Sequence, residues 1–154
     1  MIEALFAWLP SLAENELLLA GIVFAATTAI IALWVPGLLL PIAATSGAMM
    51  DAWTATGVVT LGALAGSMII FWSTRRLASG RVPARIESFA EGFKARFHSG
   101  GAWVVFGLRL VGTPHFLVSA GSALTPMPAR SFAAATLAGM APAILLASLA
   151  GSAI

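Results

Sequence analysis

The feature that most constrains this chain is how long it runs without a charge. From Leu17 to Val35 about 19 residues pass with no Asp, Glu, Lys or Arg, close to the ~20 apolar residues a helix needs to cross the hydrocarbon of a bilayer. Two further apolar stretches, at about 53–72 and 128–150, have similar length. Of the 154 residues 60% are hydrophobic and only 9% charged, whereas a soluble domain carries roughly a quarter charged residues. Water would not dissolve such a surface. In hydrocarbon the backbone must satisfy its own hydrogen bonds, which leaves helices as the economical solution. The expectation is an all-α, polytopic integral membrane protein with a single membrane domain over 17–154 and spans at about 17–35, 53–72 and 128–150.

Two apolar segments do not read as plain spans. Pro36-Gly37 is followed by too few apolar residues before Asp51 to cross a bilayer, so 36–50 reads as a re-entrant segment. The stretch 102–124 is interrupted by Arg109, Gly112 and Pro114, which makes it either a kinked span or a second re-entrant hairpin. Trp34, Trp53, Trp72 and Trp103 fall at segment ends, where indole rings favour the headgroup level. Gly62-x-x-x-Gly66 and Ala147-x-x-x-Gly151 let helices approach closely and permit a homodimer.

Charge sets the orientation. No Lys or Arg precedes Arg75, and Arg75, Arg76, Arg81, Arg85, Lys94 and Arg96 all sit in the connection 73–101, which the positive-inside rule makes cytoplasmic. Within it Pro83 opens a pattern of Ile86, Phe89, Phe93 and Phe97 at helical spacing. That is an amphipathic helix lying on the membrane face or packing on the protein's own spans. Residues 1–16 read as an N-terminal interfacial segment. Acids rather than a basic n-region precede the first span, so it reads as retained rather than cleaved. Asp51, just before Trp53, reads as an exposed carboxylate at the outer interface.

Several chemistries are disfavoured. There is no cysteine and there are only two histidines, His98 and His115, so no metal cluster is expected. No serine-histidine-acid set, intramembrane carboxylate pair or phosphate-cradling glycine loop is present. An enzyme, a cofactor and nucleic-acid binding are therefore not expected.

The two halves share an outline, a proline-glycine break followed by a small-residue span, and such paired breaks in inverted halves point to a transporter site near the midplane. Over about 36–151 the chain resembles the DedA or VTT-domain family, the SNARE-associated membrane proteins. The resemblance rests on Pro36-Gly37, Gly47, Gly62 to Gly66, Arg75-Arg76, then Val105 to Arg109, Ala120-Gly121, Thr125, Phe132, Thr136, Gly139 and Pro142. It implies two facing re-entrant hairpins in the inner membrane of a bacterium and movement of phospholipid or polyprenyl phosphate across the bilayer. The chain departs from the pattern where many members carry a glutamate, here Leu38, and an aspartate, here Ser67. It is closest to an acid-poor branch, and coupling through those carboxylates is not expected.

Arg109 is the central candidate, because an arginine within an apolar segment costs ~2.5–3.5 kcal/mol on insertion scales and usually faces a cavity or a partner. Its planar fork suits phosphate. The plainer reading has it snorkel or cap helix carbonyls. Pro36, Gly37, Gly112, Thr113 and Pro114 are the candidate breaks where freed backbone meets a headgroup. His115 either titrates in a wet cavity or satisfies a backbone carbonyl. The functional expectation is lipid movement between leaflets, with membrane lipids, anionic or polyprenyl phosphate, as partners. The rival is a structural bundle whose amphipathic segment docks a partner, with Arg109 tied to backbone carbonyls.

Overall fold

A computed structural model describes residues 15–78 and 101–154. Most of the interfacial segment 1–16 and of the amphipathic connection 73–101 lies outside the described residues. Those described form six helices: α1 (Glu16–Ala32), α2 (Leu39–Met49), α3 (Ala52–Ala78), α4 (Gly101–Leu110), α5 (His115–Ala123) and α6 (Ala129–Ser152). Two of them, α3 and α6, are long and apolar enough to cross a membrane. At 1.5 Å per residue α3 is about 40 Å long, α1 about 25 Å, and α2, α4 and α5 only about 14–17 Å each.

The halves repeat one another. Each is a helix, a break, a short helix and a long helix: α1–α2–α3 and α4–α5–α6. In each, the first helix packs on its own long helix, α1 on α3 and α4 on α6. The short helices cross over, α2 packing on α6 and α5 on α3, and the long helices meet at the centre. Glycines make these contacts possible. A Cβ on Gly62 would lie 2.9 Å from the Phe24 carbonyl oxygen, and one on Gly66 would lie 2.7 Å from Thr28 O. The Thr28 hydroxyl accordingly reaches across to donate to Gly62 O at 3.1 Å. On the other side, a Cβ at Gly47 or Gly151 would overlap the backbone of Ser148 or Ala44. Thus α2 and α6 touch backbone to backbone, with no side chain between them.

The core divides in two, one cluster around Val59, Ala63, Met140 and Ile144 and the other around Phe71, Val105, Val118 and Phe132. Leu17, Leu61, Ile69, Trp103 and Leu146 lie on the outside, as a hydrocarbon-facing surface requires. Helix α3 begins at a polar cap, where Asp51 Oδ1 accepts from Trp53 N–H and Thr54 N–H, both at 3.0 Å. Thr54, by side chain and backbone, and then the Trp53 N–H hold this exposed carboxyl below its ordinary value.

Segment boundaries follow backbone chemistry more closely than hydropathy. The apolar run to Val35 continues past the end of α1 at Ala32, because Leu33 and Trp34 turn the chain. Conversely, α3 runs beyond Trp72 to Ala78, since charge ends an apolar count but not a helix.

Candidate functional site

Both breaks are the same helix-ending motif. At the end of α1, Val35 N–H donates to Ile30 O at 3.0 Å and Trp34 N–H to Ile31 O at 3.2 Å. At the end of α4, Thr113 N–H donates to Leu108 O at 3.0 Å and Gly112 N–H to Arg109 O at 3.2 Å. This pair of bonds defines the Schellman ending, which places one residue in the left-handed region. That residue is Gly112 (φ 82°) in the second half and Trp34 (φ 58°) in the first. An aromatic side chain there costs about 1–2 kcal/mol in backbone strain. Gly37, also left-handed at φ 83°, completes the first turn.

The breaks converge on one cavity of about 260 Å³. Its walls include Pro36, Gly37, Arg109, Gly112, Thr113, Pro114 and His115, so all seven residues singled out by the sequence surround a single space. Trp34 and Ile30 from the first half and Met140 and Ile144 from α6 supply apolar wall. The Trp34 ring packs on Phe116 with centroids 5.0 Å apart, joining the two breaks. Two short helices start at the cavity: Leu39 and Leu40 begin α2 and His115 begins α5. Neither start is closed by a side-chain cap. Uncapped helix starts present free N–H groups and the positive end of the helix dipole.

Arg109 lies at the end of α4, only 4% exposed. It is held close to α6 because position 139 is glycine: a Cβ there would sit 2.6 Å from Arg109 Cβ. Its guanidinium donates to Ser119 Oγ at 2.8 Å, to Ser67 Oγ at 3.2 Å and to His115 Nδ1. None of these partners is a backbone carbonyl, and among the described residues no carboxylate pairs with it. The Nε–H is buried with no acceptor among the described residues. A buried charge held by neutral groups alone is a costly arrangement, and it stands beside a cavity. Sequence reasoning missed Ser119 and the cavity-side role of Trp34. Ser67 was noticed as a serine in an acidic position, and its contact with Arg109 gives that substitution a place.

Arg75 behaves differently. Its Nε–H donates to Ala123 O at 3.2 Å, and its Nη2 donates to Thr125 O at 2.7 Å and Met127 O at 2.9 Å. The guanidinium lies 4.4 Å from the centroid of the Phe71 ring. It thereby closes the carbonyl end of α5 and the turn into α6.

These features define an all-helical membrane protein with a cationic site among apolar helices. The chain belongs to the VTT-domain family of DedA/SNARE-associated membrane proteins: the VTT domain matches residues 35–153. No curated protein and no solved structure gives a significant match.

Proposed function

We propose that this protein moves a phosphate-bearing lipid between the leaflets of a membrane, with Arg109 engaging the headgroup in the cavity between the two breaks. The observation that carries the reading is Arg109 itself, a buried cation with an orphan Nε–H and, among the described residues, no counter-charge, beside the uncapped starts of α2 and α5. Half-helix starts and an arginine fork are both suited to an anionic group. The volume of 260 Å³ is below that of most small-ligand pockets, ~300–1,000 Å³. It fits a headgroup and leaves the acyl chains against the apolar exterior. A lipid suits these walls better than a free phosphate ion, which gains nothing from Ile30, Trp34 or Ile144. Binding and passage, rather than bond breaking, are what these side chains offer.

In this reading α1–α2 and α4–α5 are facing re-entrant hairpins; α2, α4 and α5, at about 14–17 Å, each cover half of a ~30 Å hydrocarbon core, and α1, at about 25 Å, is the one long arm. Single cysteines placed at 36–50 and 109–118 test it, because the chain has none of its own. The two stretches should label from opposite sides with an impermeant thiol reagent, and labelling as continuous spans would end the hairpin reading. The basic connection would face the cytoplasm of a bacterial cell. A docking role for the bundle has less support, since it calls for Arg109 to be tied to carbonyls.

The deciding experiment reconstitutes the full chain in vesicles and follows a tail-labelled phosphatidylglycerol between leaflets. Hydrogen bonds to a charged group are worth ~1.5–3 kcal/mol each, so Arg109→Gln should slow movement roughly 10- to 100-fold while the protein still assembles. Equal loss of assembly and of movement would sink the proposal.

A further inference from the structure

We propose that the cavity is matched to a headgroup with one formal negative charge, and that a doubly charged phosphomonoester is accepted only together with a proton taken up on His115. This rests on the lipid-moving reading above and narrows its substrate class.

The argument begins with a tautomer. A guanidinium can only donate hydrogen bonds, and the Arg109 Nη1 is paired with His115 Nδ1. Nδ1 is therefore the acceptor, so the ring is neutral and its proton sits on Nε2. The charge count follows. Among the described residues that α1, α2, α4, α5, α6 and the two breaks turn toward the cavity, Arg109 and His115 alone are charged or titratable. From α3 the neighbour is the neutral Ser67 hydroxyl, while Arg75 is engaged with carbonyls at the far end of α5.

The site thus carries one positive charge when empty. A phosphodiester, with one negative charge, brings the total to zero. A phosphomonoester carries about −1.5 to −2 at neutral pH and leaves an excess negative charge in a poorly solvated space, which is expensive. His115 can correct that excess. A proton from water adds to Nδ1, the Arg109–His115 bond opens, and both Nδ1–H and the freed Nη1–H become donors to the second phosphate oxygen. Without a dianion the same step would put two cations side by side. Proton uptake is therefore tied to the charge of the ligand, and the proton is released when the dianion leaves.

The test uses the full chain in phosphatidylcholine vesicles with two tail-labelled probes, phosphatidylglycerol (a phosphodiester) and phosphatidic acid (a phosphomonoester), at pH 8.5 and pH 6. At pH 8.5 the diester should cross roughly tenfold faster, a ratio that corresponds to about 1.4 kcal/mol, and by pH 6 the gap should close. His115→Asn keeps an acceptor for Arg109 in Oδ1 but cannot take the proton, so in that variant phosphatidic acid crosses only as its scarce monoanion, and at pH 8.5 the gap should widen roughly a further tenfold. Equal rates for the two lipids at pH 8.5 would overturn the inference while leaving lipid movement intact. So would an unchanged gap at pH 8.5 in the asparagine variant, because the proton would then sit on the lipid in both proteins. If neither lipid moves faster than in empty vesicles, the lipid-moving reading falls and this one falls with it. A second measurement is independent of any variant. In weakly buffered solution at pH 8.5 the wild-type protein should take up about one proton per glycerol phosphate bound and none with dimethyl phosphate, and equal uptake for the two would refute the proposal.

Discussion

Arg75 and Arg109 are both arginines attached to apolar helices, yet the structure gives them opposite surroundings. Arg75 finds three backbone carbonyls and an aromatic face. Arg109 finds two hydroxyls, an imidazole and a buried N–H with nothing to bind. Carbonyls at a helix end need donors, and Arg75 supplies three hydrogen bonds to those at the end of α5 and in the turn that follows. Hydroxyls and a neutral imidazole hold a guanidinium in place without balancing its charge. What separates an arginine that fastens a fold from one that, in the proposed function, receives an anion is the partner set.

The sharpest way to break the comparison is to exchange the readouts. Arg109→Leu should abolish lipid movement yet leave the melting temperature unchanged or higher, because it removes a buried charge that neutral groups balance poorly. Arg75→Leu should do the reverse, lowering stability by about 1.5–3 kcal/mol, while the lipid rate per folded molecule changes little. Parallel losses in both variants would erase the distinction. Next in size is Gly139→Ala. Its Cβ has no room beside Arg109 Cβ and Phe106 O, so α4 must shift. A shift of about 1 Å in a positioned group can cost ~10²-fold in rate, and we expect a drop of that order, detected with the same vesicle assay.

A smaller effect tests the pairing of Trp34 with Gly112. Replacing Trp34 removes its packing on Phe116 whichever small residue is used, but only glycine relieves the left-handed strain. Trp34→Gly should therefore be more stable than Trp34→Ala by about 1 kcal/mol, measured by thermal unfolding in detergent. Equal stabilities would mean that the left-handed turn carries no strain. The smallest effect is at Asp51, far from both arginines. Its carboxyl is held below the ordinary aspartate value in the folded protein, so its capping contribution is full above that value and fades as pH falls through the folded one. Asp51→Ala should melt slightly lower than wild type at pH 7, and the two should converge in acid.

Much of the candidate site was legible because its residues are exceptions to their surroundings. Pro36-Gly37, Gly112 and Pro114 break apolar runs, and Arg109 is a charge inside one, so each stands out in one dimension. The contacts that give Arg109 its meaning do not. Ser119 is an unremarkable small residue, and Ser67 stands out only as a departure from an aspartate, until α3 and α5 are placed side by side; that pairing joins residues 42 and 10 positions from the arginine. Trp34 is a different kind of difficulty. A tryptophan at the end of an apolar run reads equally well as an interface anchor and as the last turn of a helix, and hydropathy does not separate the two. The equivalence of α1 with α4 was hidden for a similar reason, since the uncharged run that follows Glu16 resembles a span more than one arm of a repeat.

The crossing of α2 onto α6 also bears on how the protein is made. Gly47 and Gly151 let these helices meet at the level of the backbone, yet α6 begins some 90 residues after α2 in the chain, at Ala129 against Leu39. While the chain is being synthesised α2 has no α6 to rest on, so the first half waits, incomplete, for the second to be inserted. Assembly of the cavity, whose walls come from both halves, is therefore a late event.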